Sequence, residues 1–276
     1  MNRNMASRLD TALVQRGLAS GREKAKEYIA SGFVTVNGLV AKKPAMPVEE
    51  SDVLVCQHTE KYVGRGGYKL EKALEVSGIS LDGVTALDVG ASTGGFTDCM
   101  LQHGAARVYA LDVGHDQLHE TLRNDPRVCN LEGIDIRSAE KIEPFLAKNS
   151  VLFCTIDVSF ISVKRIFPYI YPFLAQGACG VCLIKPQFEA GRSSVGRNGI
   201  VKDSHAHQRV LMDLCGFFAT QGCPIRQLEY SPITGGEGNI EYLAIWEKTE
   251  LPSAVHTPVE IEQLVQQAHR SLLGKR

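Results

Sequence analysis

The chain has 276 residues, of which 44% are apolar and 22% charged, and its formal net charge is −1. This composition is ordinary for a globular protein, and the length suffices for one large domain and one small domain. No window approaches 18 apolar residues, and Met1–Asn4 lacks the apolar core of a signal peptide. We therefore expect a cytoplasmic protein without stable membrane association, whose eight cysteines are reduced.

Positive charge is concentrated at the front of the chain. Residues 1–72 carry 12 Lys and Arg against 8 Asp and Glu, whereas the remainder carries 18 against 23. A locally basic surface favours a polyanionic partner.

The first 55 residues predict two helices followed by three short strands. Ser7 is a suitable N-cap for the first helix, and Gly17 ends it. A second helix is predicted over residues 22–30. Asn37-Gly38 between two apolar runs is a strong hairpin signal, and a third strand is predicted over residues 52–55.

This arrangement resembles the αL-type RNA-binding module of ribosomal small-subunit protein four. The matching residues are Arg8-Leu9-Asp10, Arg22-x-x-Ala25, Ile29, Gly32-x-Val34-x-Val36-Asn37-Gly38 and Lys43-Pro44. One departure is Gly21, because the family usually has a Ser N-cap there. The candidate RNA-binding residues are Arg8, Arg22, Lys24, Lys26, Lys42 and Lys43, with Arg65 behind a polar connector. The alternative is a basic α/β cap unrelated to RNA.

The rest of the chain alternates apolar strands with helical patterns, which predicts a mainly parallel sheet. The predicted strands are residues 87–89, 108–112, 128–131, 151–157, 178–184, 224–230 and 242–247. Helices are predicted from near Tyr68, over residues 203–220 and over residues 258–273. A further helical pattern over residues 162–174 is expected to kink or break at Pro168.

A glycine-rich turn after an acidic strand end predicts a cofactor site. The stretch Asp88-Val89-Gly90-Ala91-Ser92-Thr93-Gly94-Gly95-Phe96 has the pattern of strand, turn and helix. It matches the dinucleotide fingerprint poorly, and no Lys follows as in a phosphate-binding P-loop. S-adenosylmethionine is the leading candidate; a nucleotide or nicotinamide site and a merely structural turn are the alternatives.

Asp112 strengthens this interpretation. It ends the next predicted strand, 24 residues after Asp88. In doubly wound folds a carboxylate in such a position binds the ribose hydroxyls of the cofactor. A solvated Asp at a strand end is the alternative.

Two spacings typical of metal ligands do not predict a metal site. Cys179 and Cys182 lie in a strand pattern, where an odd offset places their side chains on opposite faces. His115 and His119 could share a helix face, but Asp116 stands where a zinc protease has Glu. With no third ligand apparent, we expect no bound metal.

Four charged residues are expected to meet at one edge of the sheet. Asp157 and Lys185 end two predicted strands, Glu241 begins the last strand, and Lys69 lies on the helix before the first. Ligands bind outside the carboxyl ends of parallel strands, and an antiparallel last strand starts at that same edge. We therefore predict a catalytic cluster, with structural ion pairs as the alternative.

Nearly the whole chain resembles the TlyA family of bacterial ribosomal RNA 2′-O-methyltransferases, which have an FtsJ-like catalytic domain and also carry a haemolysin designation. The matching segments are Arg65-Gly66-x-x-Lys69-Leu70, residues 88–98, 157–162 and 185–189, and Gly238-Asn239-Ile240-Glu241. The resemblance implies an α/β, Rossmann-like methyltransferase with a mostly parallel seven-stranded sheet, preceded by a small α+β αL-type RNA-binding domain. The implied domains are residues 1–59 and 67–276, with a linker over residues 60–66.

The resemblance also implies roles for individual residues. Lys69, Asp157, Lys185 and Glu241 would form the Lys-Asp-Lys-Glu tetrad of ribose methylation. The cofactor-binding residues would be Asp88, Gly90, Ala91, Ser92, Thr93, Gly94, Gly95, Phe96, Asp112, Asp135, Ile136, Asp157 and Phe160. Asp135 is a departure, because Asn is expected there; its carboxylate could still accept a bond from the adenine amino group. The connector over residues 60–63 would couple RNA binding to cofactor binding.

The implied reaction is methylation by S-adenosyl-L-methionine of a ribose, expected to be that of a cytidine, in ribosomal RNA of assembled small or large subunits. We expect the protein to act as a monomer. Lys185 can be the base only when neutral; a charged Lys185 would instead steer the hydroxyl and stabilise the developing alkoxide. A membrane-acting haemolysin and a non-catalytic RNA-binding protein remain as alternatives.

Overall fold

A computed structural model describes residues 7–19, 21–30, 32–56, 61–250 and 256–273. The chain separates into two compact units, residues 1–61 and residues 62–276. Glu60, the first residue of the predicted linker, lies outside the described residues, as do residues 57–59 before it.

The described residues of the first unit form two helices and two small antiparallel sheets. Its elements are β1 (Ser7–Arg8), α1 (Leu9–Gln15), α2 (Arg22–Ala30), β2 (Val34–Val36), β3 (Leu39–Val40), β4 (Pro47–Val48) and β5 (Leu54–Cys56). Strand β1 pairs with β4, and β2 lies between β3 and β5. The predicted hairpin is confirmed, because Val36 pairs with Leu39 and both turn residues have positive φ, 52° at Asn37 and 82° at Gly38.

Two predictions for this unit were wrong in detail. Ser7 does not cap α1: it belongs to β1 and pairs with Val48. The third strand begins at Leu54, because the Asp52 carboxylate accepts hydrogen bonds from the Glu49 backbone (2.8 Å) and the Asn37 side chain (2.8 Å) and so closes a turn.

The second unit is built on a seven-stranded sheet. Its strands are β6 (Thr85–Val89), β7 (Arg107–Asp112), β8 (Val128–Glu132), β9 (Val151–Ile156), β10 (Leu174–Ile184), β11 (Ile225–Tyr230) and β12 (Tyr242–Glu247). Their spatial order is β11-β12-β10-β9-β6-β7-β8. Strand β12 alone runs against the others, inserted between β10 and β11, so the prediction of a mainly parallel sheet with an antiparallel last strand is confirmed.

Helices cover both faces of this sheet. They are α3 (Gly66–Ser77), α4 (Gly95–Gln102), α5 (Glu120–Arg123), α6 (Ala139–Ile142), α7 (Phe167–Ile170), α8 (Pro186–Glu189), α9 (Ser204–Thr220) and α10 (Pro258–Leu273). Side chains alternate between two apolar clusters along each strand, Leu87 and Val89 on one face and Ala86 on the other. Cys182 and Cys179 likewise lie on opposite faces, as their offset predicts.

Several element boundaries differ from the predicted ones. The pattern over residues 162–174 forms only α7 between two single 3₁₀ turns, with Pro168 in the first turn of α7, where its missing N–H costs no helical bond. Strand β10 begins at Leu174 and shifts register before Cys179. Helix α3 begins at Gly66 rather than near Tyr68. Within the described residues, no helix has the length and apolar character needed to cross a membrane.

Candidate functional site

The predicted glycine turn forms a cleft between β6 and α4. Gly90 and Gly94 have φ of 88° and 93°, a conformation that side chains other than glycine rarely adopt. A Cβ on Gly90 would lie only 2.4 Å from the carbonyl oxygen of Asp157, so glycine is required there. A cavity of about 200 Å³ lies against the turn. Its lining includes Gly90, Ala91, Ser92, Thr93, Gly95 and Phe96.

The end of the connector packs on this turn. The Val63 backbone N–H donates to the Asp98 carboxylate of α4 at 2.8 Å. A Cβ on Gly95 would lie 3.0 Å from the carbonyl oxygen of Gly64, and Arg65 lines the cavity. The coupling of this connector to cofactor binding stays a prediction. Its residues Val63 and Gly64 contact α4 and the glycine turn, which such a coupling would require.

Asp112 holds the turn from its β7 side. One carboxylate oxygen accepts the backbone N–H of Ser92 at 2.8 Å, and the other accepts that of Gly114 at 2.7 Å. Each carboxylate oxygen keeps a further lone pair for a ligand hydroxyl. The geometry is compatible with the predicted ribose contact.

Asp88 lies beneath the turn rather than in the cleft. Its side chain has no exposed surface, and its carboxylate accepts bonds from the Thr97 and Thr155 hydroxyls at 2.7 and 2.8 Å. Burial raises the Asp88 pKa to about 6, the nearby Asp157 charge adds to this, and the two hydroxyls oppose it. Asp88 of β6 therefore connects this strand to α4 and to the neighbouring strand β9 through hydrogen bonds.

The four predicted catalytic residues form two ion pairs. Lys69 Nζ lies 2.6 Å from Glu241 Oε2, and this pair is buried. Lys185 Nζ lies 2.6 Å from Asp157 Oδ1, without the alignment of a hydrogen bond, and donates to Ser159 Oγ at 3.0 Å. Each lysine therefore has one carboxylate beside it.

The sheet register explains why these residues meet. Asp157 follows β9 and its backbone N–H donates to Val89 at the end of β6 (2.9 Å). Lys185 follows β10 and Glu241 precedes β12, and the adjoining residues Ile184 and Tyr242 are partners across these two strands. Lys69 and Asp157 line the same cavity as the glycine turn. The predicted convergence at one edge of the sheet is therefore what the structure has.

The structure does not bring three other predicted cofactor contacts into this cleft. Phe160 is 91% exposed with φ of 65°, and its ring lies 5.1 Å from that of Phe188 beside a separate, larger cavity. The Arg137 guanidinium pairs with Asp135 at 2.5 Å and holds the pKa of that carboxyl below its usual range. Ile136 is buried in the core.

In the first unit, several predicted RNA-binding residues are engaged within the fold. Arg8 and Arg22 both pair with the buried Asp10, at 3.0 and 3.1 Å, and their charges hold its pKa well below the usual range. Their side chains nonetheless remain about half exposed, 49% and 56%. Their role in binding RNA stays a prediction.

The lysines of this unit divide into two groups. Lys24 pairs with Glu27 at 3.1 Å and Lys26 with Glu23 at 2.6 Å along α2. Lys42 and Lys43 are exposed, and no ion pair of theirs occurs within the described residues. In the first unit, these two predicted RNA contacts have no ion-pair partner among the described residues, and the exposed Arg65 of the second unit has none there either.

The structure adds supporting residues that sequence patterns did not reveal. Thr97 and Thr155 hold Asp88, and Ser159 contacts Lys185. The Asn239 side chain, buried just before Glu241, accepts the Val201 N–H at 3.1 Å and donates to the Gly199 carbonyl at 3.0 Å. Asn239 belongs to the matched segment Gly238-Asn239-Ile240-Glu241, but the sequence of that segment does not reveal these two hydrogen bonds. Among the described residues, no three His, Cys, Asp or Glu side chains are grouped to hold a metal ion.

Comparison with known families adds independent information. The FtsJ-like methyltransferase family matches residues 62–248, and the S4 domain matches residues 7–54. These two matches fall in the two compact units of the structure.

Individual relatives are similar over most of their length. The 16S/23S rRNA (cytidine-2′-O)-methyltransferase TlyA of Mycobacterium tuberculosis is 39% identical, covering 90% of this chain and 92% of its own. Hemolysin A of Brachyspira hyodysenteriae is 43% identical, covering 86% and 98%. A solved protein from Streptococcus thermophilus with a provisional hemolysin designation is 42% identical, covering 99% and 98%, with a TM-score of 0.75.

Proposed function

Since the chain belongs to the FtsJ-like methyltransferase family, we propose that it transfers a methyl group from S-adenosyl-L-methionine to a ribose 2′-hydroxyl of ribosomal RNA. The observation that carries this proposal is the pair of lysine–carboxylate contacts beside the glycine turn. Binding the cofactor alone would not require four charged side chains at the sheet edge. Activating and orienting a weakly acidic hydroxyl does require such groups.

The residues of the cleft suit this cofactor. Gly90 and Gly95 let the turn pack against neighbouring backbone, which a Cβ would meet at 2.4 and 3.0 Å, and so fix the shape of the cleft. Ser92 and Thr93 are exposed at the turn, and Asp112 would hold the ribose hydroxyls. Asp88 supports this cradle from below. When bound, the cofactor supplies an electrophilic sulfonium methyl group.

The chain's own residues align the RNA hydroxyl and manage its proton. Methyl transfer is an in-line displacement, so orientation is the first requirement. Lys185 in its neutral form would take the proton of the 2′-hydroxyl and become an ammonium group, with Asp157 and Ser159 holding its side-chain nitrogen in place. The buried Lys69–Glu241 pair lies beside the cleft, and Lys69 keeps a positive charge near the developing alkoxide.

The remaining features concern delivery of the RNA. Residues 1–59 form the RNA-binding domain, residues 60–66 the connector, and residues 67–276 the methyltransferase domain. The first unit binds ribosomal RNA in assembled subunits through its basic side chains, and the methylated nucleotide is a cytidine of the small or large subunit, as the name of the Mycobacterium tuberculosis relative states for that protein. The protein acts in the cytoplasm as a monomer.

Mapping ribose methylation in cells tests this function. Ribosomal RNA from cells with and without the protein is compared at every 2′-O-methyl position. We expect at least one site to disappear without the protein and to return with the wild-type chain but not with Asp157→Ala. Identical maps in all strains would contradict the proposal. Lysis of membranes by the purified protein, with no change in the map, would favour the haemolysin alternative.

A further inference from the structure

A second cavity adjoins the catalytic residues and is larger than the cofactor cleft. It has a volume of about 670 Å³, and we call it the Phe188 groove. The residues of its lining used below are Phe160, Arg165, Gln187, Phe188 and Arg192. It begins beside the reaction centre, because Lys185 Nζ lies 6.0 Å from the centre of the Phe188 ring.

The groove presents aromatic surface to solvent at some cost to the fold. Phe160 is 91% exposed and has φ of 65°, a strained conformation for a bulky residue. Its position is fixed by the following segment: the Glu189 carboxylate accepts the Ser162 hydroxyl at 2.6 Å and the Val163 N–H at 2.8 Å. The fold therefore exposes the apolar ring of Phe160 to solvent, where the ring gains no stabilisation from burial.

The groove also contains two cations without partners. Arg165 and Arg192 are exposed, and neither guanidinium forms an ion pair or hydrogen bond within the described residues. The neighbouring Lys164, in contrast, is paired with Asp213. Glu189 is the nearest carboxylate along the chain to Arg192, and its two oxygens are occupied by Ser162 and Val163. Two free guanidinium groups next to aromatic rings match a phosphate joined to a base.

A polar group completes the set. Within the described residues, Gln187 Oε1 lies in the wall of the groove with almost no accessible surface and accepts no hydrogen bond. An unpaired buried carbonyl oxygen costs free energy, and rotation of the Gln187 side chain toward the groove would bring this oxygen to a ligand's donor. An exocyclic amino group of a base is such a donor.

We propose that the Phe188 groove binds the RNA nucleotide next to the methylated one. Its base stacks on Phe188 and Phe160, its phosphate is bound by Arg165 and Arg192, and Gln187 contacts the base edge. This inference rests on the proposed function and adds to it a substrate subsite in the methyltransferase unit. An acidic peptide would use the arginines but not the stacked rings, so RNA is the occupant that uses the whole set.

Steady-state kinetics on isolated ribosomal subunits test the subsite. Arg165→Ala and Arg192→Ala should each raise the KM for subunits roughly 10-fold, as expected for loss of one charge-assisted contact. We expect kcat to change less than about 3-fold, because neither residue touches the reacting atoms. Each variant should also flatten the dependence of log affinity on log salt, and the double variant should flatten it by about 0.7, the share of one phosphate. Lys substitutions at the two positions should restore part of the affinity, since they keep the charge but lose the fork.

The matched control is Arg209→Ala, an exposed arginine of α9 that lies outside the groove and is 3.8 Å from Asp203. It removes the same charge from the same unit and should leave the KM unchanged. Phe188→Leu keeps apolar volume but removes the stacking face, so it should raise the KM at unchanged salt slope.

Two outcomes separate this inference from the proposed function. If the wild-type protein methylates subunits but the groove variants match Arg209→Ala in KM and salt slope, the subsite is wrong and the function stands. If the wild-type protein does not methylate subunits, binding of a fluorescein-labelled 12-nucleotide cytidine RNA decides: weaker binding by the groove variants than by Arg209→Ala supports the subsite alone. Equal binding overturns it, and competition by poly-glutamate but not RNA would identify a peptide groove.

Discussion

Lys185 differs from Lys69 in its surroundings, although both have a carboxylate at 2.6 Å. Lys69 and Glu241 are buried together, with side-chain exposures of 10% and 4%, whereas Asp157 beside Lys185 is 20% exposed. Ser159 adds a hydroxyl contact to Lys185 only. The two lysines are equally buried, 11% and 10% exposed, so Lys185 is set apart by its more exposed carboxylate partner and its hydroxyl contact.

Replacing Lys185 separates its two possible roles. Arg keeps the positive charge but cannot lose its proton in a protein. We expect Lys185→Arg and Lys185→Ala both to lose activity on the order of 10²–10⁴-fold, and the wild-type single-turnover rate to rise with pH as the base is deprotonated. Both variants must still bind cofactor and RNA. An Arg variant far more active than the Ala variant would mean that Lys185 acts only through its charge.

Asp112 provides a test of the cofactor assignment at the same scale. Asp112→Ala removes the proposed ribose contact and should weaken S-adenosylmethionine binding by about 1.5–3 kcal/mol in calorimetry, measured with RNA present if RNA is needed for binding. Because Asp112 also orders the turn through Ser92 and Gly114, Asp112→Asn serves as control: it keeps one acceptor oxygen and should lose less. Tight NAD binding without any response to S-adenosylmethionine would contradict the assignment.

At the scale of elements, the glycine turn is held by the carboxyl group of Asp88, whose charged form is disfavoured by burial. Asp88 ties β6 to Thr97 of α4 and to Thr155 of β9. Its pKa is raised from 3.8 to about 6, so the folded state binds more protons than the unfolded state between these values. The stability associated with this group is thus present at low pH and lost as pH rises toward 6, by about 3 kcal/mol in total.

Asp88→Asn should remove this dependence. The free energy of unfolding of the variant, relative to wild type, should increase by up to about 3 kcal/mol from pH 4 to pH 7. Fluorescence of Trp246, the single tryptophan and fully buried in the second unit, follows the unfolding. Comparison with wild type cancels the opposite contribution of His207, whose pKa burial lowers to about 4 and which favours folding as pH rises from 4 to 6.5. A constant difference across this range would show that Asp88 carries no shifted pKa.

The sequence was most informative where chemistry and topology coincide. Asp157, Lys185 and Glu241 could be placed together because each adjoins a strand end, and a parallel sheet has one ligand-binding edge. It was less informative where one residue has several uses. Asp88 has the position of a cofactor contact but is buried, and only the hydroxyls of Thr97 and Thr155 explain why. Ser7 has the chemistry of a helix cap, but pairing with β4 places it in a strand.

Tertiary contacts also decide what a local pattern cannot. The apolar pattern before β10 predicts one broken helix, yet the chain forms a single helical turn between 3₁₀ turns and then enters the strand early, at Leu174. Phe160 has a positive φ and its ring lies 5.1 Å from that of Phe188, while its contact with the cofactor stays a prediction. A positive φ at a residue other than glycine or asparagine cannot be predicted from a local sequence pattern.

At the scale of the whole molecule, we propose that the first unit supplies most of the RNA binding and the second unit the chemistry. Deleting residues 1–60 should abolish methylation of subunits, because most of the predicted phosphate contacts are lost with Lys42, Lys43 and the α2 cations. In the full chain, Lys42→Ala and Lys43→Ala should each reduce the salt slope of RNA affinity by about 0.7–0.9. Unchanged Trp246 fluorescence and cofactor binding would show that the truncated protein is folded. Full activity of that truncated protein would refute the division of roles.

The central claim is ribose methylation of ribosomal RNA, and the most direct test is transfer of tritium from S-adenosyl-[methyl-³H]methionine to purified ribosomal subunits. Subunits come from cells lacking the protein, and the digested RNA is resolved by chromatography and mass spectrometry. We predict tritium in a 2′-O-methylcytidine at a fixed position, with none transferred by Asp157→Ala that still binds cofactor. Tritium on a base, or no transfer to either subunit by the folded wild-type protein, would contradict the account.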